Sequence, residues 1–208
     1  IPVGTSWAVY NFFWWGMPLN YVPSPPLPNP EYLGAYSNIE RFFSFGPTLL
    51  ENVFRTLGNI PQNYNVFVGL LKTSTFGEGA FFPPGSLAYM ASVVLFLVNL
   101  LLVSFSLVAM VWLFWKRREK LSGTVKVFLG VVYVTLLGSY LNFNWNYPQM
   151  STYHYRYIPF TMVIGALALG FWQTDREKMG RGTLVLPVLV LAFVALVILV
   201  FFRLAMVS

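Results

Sequence analysis

Four apolar stretches constrain this chain more than any other feature of it. Residues 86–115 carry no charge, residues 124–141 nearly none, and residues 158–172 and 183–202 repeat the pattern. Stretches of roughly 17–25 apolar residues span the hydrocarbon core of a bilayer, and longer ones tilt or project beyond it. The first stretch, at about 45 Å of helix, projects beyond it. The third is short, so its helix is expected to begin just before Ile158, with Pro159 tolerated in the first turn. A soluble domain of ordinary composition does not have 57% hydrophobic and 10% charged residues, nor a mean hydropathy of +0.63. The expectation is an all-α polytopic membrane protein with about four transmembrane helices, near 86–115, 124–141, 158–172 and 183–203.

Charge sets the expected topology. Lys116, Arg117, Arg118, Lys120 and Lys126 lie between the first two spans or at the near end of the second, and Arg176, Lys178 and Arg181 lie between the last two. With four spans these loops share one side, which the positive-inside rule makes cytoplasmic. Residues 1–85, the 142–157 loop and the C-terminus are then extracytoplasmic, and the location is the plasma (inner) membrane. The net charge is +6, and eight of the thirteen basic residues lie in or beside those two loops, a distribution that argues against a nucleic-acid partner and for membrane lipid. The absence of cysteine removes disulfides, thiolate metal sites and cysteine nucleophiles together. Lys126 is the only charge inside the first three spans and lies near an end, whereas ion-coupled transport would need one deeper.

Residues 1–85 read as a membrane-surface segment, ahead of a bundle at 86–208. The chain opens at Ile1 with neither a basic n-region nor a hydrophobic signal segment, so these residues are expected to follow a longer N-terminal part that delivered them outside. They hold 11 of the 14 prolines and a cluster of Trp7, Phe12, Phe13, Trp14 and Trp15, which suits the headgroup level. Residues 21–30, with five prolines, are extended or turn-like. Ser37 with Glu40 resembles a capping box opening a short helix toward Phe45. Pro47 suits a first helical position, and Leu49, Leu50, Val53, Phe54 and Leu57 recur at helical spacing before Gly58. Short amphipathic helices on the membrane, joined by loops, are the expected result.

Two polar islands carry the candidate chemistry. The first, residues 71–78, places Lys72 and Glu78 six apart with three hydroxyls between them, ahead of the first span. It reads either as a polar pocket above the helices or as a solvated loop with Lys72 snorkelling. The second, residues 151–160, puts the only histidine, His154, and Arg156 among Tyr153, Tyr155 and Tyr157 at the mouth of the third span. Arg156 is an anion-binding group, or else an interfacial anchor or a partner of Glu78. His154 has no second histidine to share a metal with and reads as a hydrogen-bonded interfacial residue. Trp145 and the tyrosines have the composition of an interfacial aromatic belt.

Three stretches in this order also resemble a known family. They are Ser6-Trp7 with Asn11 and residues 16–23, Gly-Met-Pro-Leu-Asn-Tyr-Val-Pro; residues 72–78, Lys-Thr-Ser-Thr-Phe-Gly-Glu; and residues 155–158, Tyr-Arg-Tyr-Ile. Together they are similar to the C-terminal portion of bacterial GT-C membrane glycosyltransferases of the protein-mannosyltransferase type. The resemblance implies transfer of a sugar from a polyprenyl-phosphate donor to an acceptor on the extracytoplasmic face. It also implies a catalytic carboxylate, with a possible divalent metal, in an N-terminal loop upstream of Ile1. The only aspartate here, Asp175, falls in an expected cytoplasmic loop, so no catalytic residue is assigned. In such a site Arg156 would contact the donor phosphate. Lys72 would add a point charge and Tyr155 or Tyr157 a hydroxyl, while Glu78 would orient Lys72 or meet sugar hydroxyls. Trp145 would stack on a sugar face, beside His154. The competing reading is a non-catalytic membrane subunit or assembly scaffold.

Overall fold

The computed structural model describes Tyr10, Phe13, Trp14 and residues 32–55, 62–77, 82–115, 122–179 and 184–207, with side chains to Phe202. Residues 1–30 and 31–208 form two compact units. Of the first, Tyr10 and Trp14 set their rings 6.0 Å apart, and Phe13 and Trp14 are exposed; Trp7, Phe12, Trp15 and residues 21–30 lie outside the described residues. The second is helical, with α1 at Asn38–Phe43, a 3-10 turn at Pro47–Leu50 and α2 at Val66–Phe76. After these come α3 at Leu87–Trp115, α4 at Gly123–Asn146, α5 at Phe160–Lys178 and α6 at Val185–Val207.

The expected capping box opens α1. Ser37 Oγ accepts from the Glu40 N–H at 3.2 Å and the Glu40 carboxylate accepts from the Ser37 N–H at 2.7 Å, which satisfies two donors left over by the helix start. The bonds from Ser37 hold the Glu40 carboxyl below its usual range. The helix stops at Phe43 rather than Phe45. The helix expected from Pro47 is a single 3-10 turn that ends at Leu50, and Leu57 lies outside the described residues. Asn52 explains the break: its Oδ1 accepts from the Phe54 N–H at 3.0 Å, a local bond that competes with the helical ladder.

The first polar island is helical where a loop was expected. Asn65 caps α2 by accepting from the Val68 N–H at 3.0 Å. The hydroxyls of Thr73, Ser74 and Thr75 donate back to carbonyls three or four residues earlier, so hydroxyl density does not break this helix. Gly77 ends it at φ +73°, a left-handed conformation that glycine adopts without penalty.

Helices stand at all four expected places, with different lengths and characters. α3, α4 and α6 are long and apolar enough to cross a membrane. α4 runs on to Asn146, so the start of the expected 142–157 loop is helix. α5 falls short as a span: residues 160–172 supply only about 20 Å of apolar helix, and the helix continues through Asp175, Arg176, Glu177 and Lys178, where a loop was expected.

α3 packs against both α5 and α6, and α4 against α5. One core joins Ala109, Met110 and Leu113 of α3 to Ile164 and Ala168 of α5. A Cβ at Gly165 would run into Ser106 Oγ, so this glycine allows the close approach of α5 to α3. At the other end of α3, Leu95 and Phe96 pack with Val200 of α6 under Val53, Phe54 and Phe76. A third cluster sets Leu33, Phe42, Tyr64, Val66, Val68 and Leu70 on Tyr140, Met150, Tyr153 and Ile158. Residues 32–55 and 62–77 therefore cap the end of the bundle where α3 and α5 begin and α4 and α6 end. The helices' outward faces stay exposed along Val127, Phe128, Val131 and Val134 of α4 and along Val188, Leu191 and Ile198 of α6, as lipid contact requires.

Whether α5 crosses can be measured. The chain has no native cysteine, so Ser122→Cys and Met179→Cys report one site each. If α4 and α5 both cross, an impermeant thiol reagent labels the two from the same side. Labelling from opposite sides would leave α5 as a helix that turns back within the bundle.

Candidate functional site

The two polar islands meet at Thr73. Its Oγ1 accepts from the Tyr155 N–H at 3.1 Å and lies 3.3 Å from the Tyr153 carbonyl oxygen, which competes with the nearer Gly69 carbonyl at 2.9 Å for its one proton. The approach is close because residue 69 is glycine: a Cβ there would lie 3.0 Å from Tyr153 Cβ. The contact pins the second island, a 3-10 turn at Tyr155–Tyr157, against α2.

Tyr153 is the centre of the cap and is fully buried. Its carbonyl also accepts from Arg55 Nη1 at 3.2 Å, and its hydroxyl accepts from Arg41 Nη1 at 2.9 Å. Burial raises the Tyr153 phenol above its ordinary value and the nearby Arg41 partly offsets this, so it stays a neutral hydroxyl. Arg41, 1% exposed, donates in addition to the carbonyls of Asn144 at 2.9 Å and Trp145 at 3.1 Å and to Asn38 Oδ1. Those two carbonyls belong to the last turn of α4, where backbone acceptors have no helical partner and the helix dipole favours a cation. Asn144 continues the network, accepting from Thr152 Oγ1 at 2.6 Å and donating to the Tyr140 carbonyl at 2.8 Å.

Lys72 does not snorkel. Its side chain is fully buried, and Nζ donates to the Gln62 carbonyl at 2.9 Å and to Asn63 Oδ1 at 3.4 Å. Burial, with Arg55 nearby, pushes its pKa down to about 8. Arg156 is its opposite. It is exposed, donates to the Tyr157 hydroxyl at 3.1 Å and sets its guanidinium 5.1 Å from the centre of that ring, a cation–π geometry. His154 Nδ1 accepts from the Arg156 N–H at 3.0 Å, which places the proton of the neutral imidazole on Nε2. Tyr155 is half-buried and shares a hydrogen bond with Thr161 Oγ1 at 3.0 Å; burial raises its phenol. Trp145 is 43% exposed, with its ring 5.3 Å from Phe42. Glu78 lies outside the described residues.

The two islands are thus joined through the Thr73 hydroxyl and the backbone of Tyr153 and Tyr155, whereas the Lys72 and Arg156 head groups bond to different residues. Arg41, Arg55 and Asn144 were not picked out from the sequence, and Tyr153 only as one of the tyrosines of the second island. Their signal was sparse charge: an arginine inside a six-residue capped helix has few reasons to be there unless it reaches a partner. Among the described residues no three His, Asp or Glu side chains gather, so they offer no cage for the divalent metal implied upstream. No protein-family model, curated protein or solved structure matches the chain.

Two outcomes follow from the cap. Arg41→Ala strands two carbonyls and the Tyr153 hydroxyl in a buried site and is expected to cost about 2–4 kcal/mol of stability. Tyr153→Phe, which loses one hydrogen bond, should cost about 1 kcal/mol; thermal unfolding in nanodiscs compares them. The second outcome concerns pH. The folded pKa of Lys72 is about 8, against an ordinary 10.5, so between these values the unfolded chain holds a proton that the folded chain has released. Stability from this group therefore rises from pH 8 to 10.5 and is level below pH 8. Tyrosines also titrate near pH 10, so the measured quantity is wild type minus Lys72→Met, which should grow across that window.

Proposed function

We propose that this chain is part of an integral-membrane glycosyltransferase that takes its sugar from a polyprenyl-phosphate donor on the extracytoplasmic face. The observation that supports this reading best is the junction at Thr73, which joins residues 72–76 to residues 153–157 at one end of a membrane bundle. A lipid-linked phosphate needs a cation at the interface beside an apolar tail path. Arg156 is the exposed cation of this cap, with Tyr157 holding its plane and His154 fixing its backbone. Exposed apolar helix faces run away from the cap. In this reading Arg156 binds the phosphate through paired charge-assisted bonds, and Tyr157 adds a hydroxyl. Lys72 acts from within the cap, holding residues 62–63 in place, rather than as a contact. In this reading the face is extracytoplasmic, because Lys126, Arg176 and Lys178 lie on helix ends at the other end of the bundle.

A non-catalytic scaffold is the second reading, and the depth of Lys72 favours it, since a buried ammonium bonded to Gln62 and Asn63 has a structural use. One series separates the two. In the full-length protein, Arg156→Ala should weaken donor binding roughly ten- to a hundredfold, as expected for a lost contact between charged groups. Arg156→Lys should recover only part, since the charge stays and the planar fork goes. Unchanged binding of a polyprenyl-phosphate sugar by a normally folded Arg156→Ala protein would leave the scaffold reading.

A further inference from the structure

We propose that the outward face of α1 and the turn after it, formed by Ile39, Phe43 and Phe45, inserts into the headgroup layer of the bilayer beside the exit of α4. These side chains are 68%, 67% and 65% exposed, a large apolar surface for one short element to leave in water. Ile39 and Phe43 are four apart and share a helix face. The opposite face carries Arg41 and Phe42, both buried.

The height of α1 follows from its bonds. α4 has 24 residues, about 36 Å of helix, against a hydrocarbon core of about 30 Å. Its last turn therefore emerges at headgroup level, where Trp145, half exposed, is suited to sit. Arg41 bonds α1 directly to the carbonyls of that turn, so α1 lies at the same level. The exposed face of α4 also leads up to α1. It runs along α4 through Phe128, Val131 and Val134 to Trp145. Trp145 packs on Phe42, whose ring is 6.4 Å from that of Phe43. The exposed Trp145 at the end of α4 and the exposed Phe43 of α1 thus flank one buried ring, and a bilayer is the partner that this adjacency to the apolar face of α4 selects. Because the proposal uses only fold contacts, it does not depend on which ligand Arg156 binds.

The test uses the whole chain in nanodiscs of phosphatidylcholine and phosphatidylglycerol. Ile39→Cys, Phe43→Cys and Phe45→Cys each carry one environment-sensitive fluorophore. Val131→Cys on the lipid face of α4 serves as the lipid reference, and Glu177→Cys, exposed on α5, as the aqueous one. Labels at 39, 43 and 45 should be quenched by lipid bearing a nitroxide near the headgroup. They should be quenched by aqueous iodide several-fold less than the label at 177. Iodide quenching equal to that at 177 would overturn the proposal, because the face would then meet water. Protection from both quenchers would overturn it too, because a second copy or another protein segment would then cover the face.

Discussion

The Arg41 guanidinium and the open end of α4 are what the cap of this protein is built on. A helix end leaves carbonyls without partners, and here the end sits under protein rather than in water. A buried cation is equally costly without acceptors. Each problem is met by the other: the carbonyls of Asn144 and Trp145 take the fork of Arg41. The match is incomplete, since Arg41 Nε makes no hydrogen bond. The bond spans 103 residues, so the position of α1 is tied to a membrane helix far along the chain.

From that point the polar contacts run as a chain through the cap. Arg41 holds the Tyr153 hydroxyl, the Tyr153 carbonyl meets Thr73, and the hydroxyls next to Thr73 meet Asn99 of α3. Asn99 donates to Thr75 Oγ1 at 2.7 Å and to Ser74 Oγ at 3.1 Å. An amide inside a membrane helix is expensive if it faces lipid, and this one is 6% exposed. It therefore acts as a latch that docks α2 on α3. The three hydroxyls read from the sequence as a possible pocket lining are divided between the two latches, Thr73 toward Tyr153 and Ser74 with Thr75 toward Asn99.

How far the sequence can be read depends on the range of the interaction involved. Apolar length is summed over a whole segment, so all four helices stood where expected. The Ser37–Glu40 box closes within four residues and was equally visible. Helix ends were misplaced where one side chain decided them. Asn52 halts the turn after Pro47, and Asn65 starts α2 before an island that otherwise looked like loop. The roles of the cations were hidden, because they depend on partners distant in sequence. Nothing near Arg41 in sequence shows its role, because its partners are the carbonyls at the end of α4. Lys72 looked accessible because its neighbours in sequence are polar, yet the residues that enclose it come from other parts of the cap.

Burial then sorts the cap's cations by what each can do. Arg41, Arg55 and Lys72 are almost wholly inside and bond to carbonyl and amide oxygens. A group held that way maintains its surroundings, and a ligand would have to displace those partners to reach it. Arg156 differs: it is exposed, and its guanidinium bonds to Tyr157, its neighbour in sequence. Keeping a neighbour's ring in place orders little additional chain, so the planar charge is held at small entropic cost. The buried three fix the segment that carries Arg156, by way of Tyr153 and α2, and Arg156 presents its charge at the surface. A rigid interior shell beneath one exposed, oriented cation is the arrangement that recognition of an anionic headgroup requires.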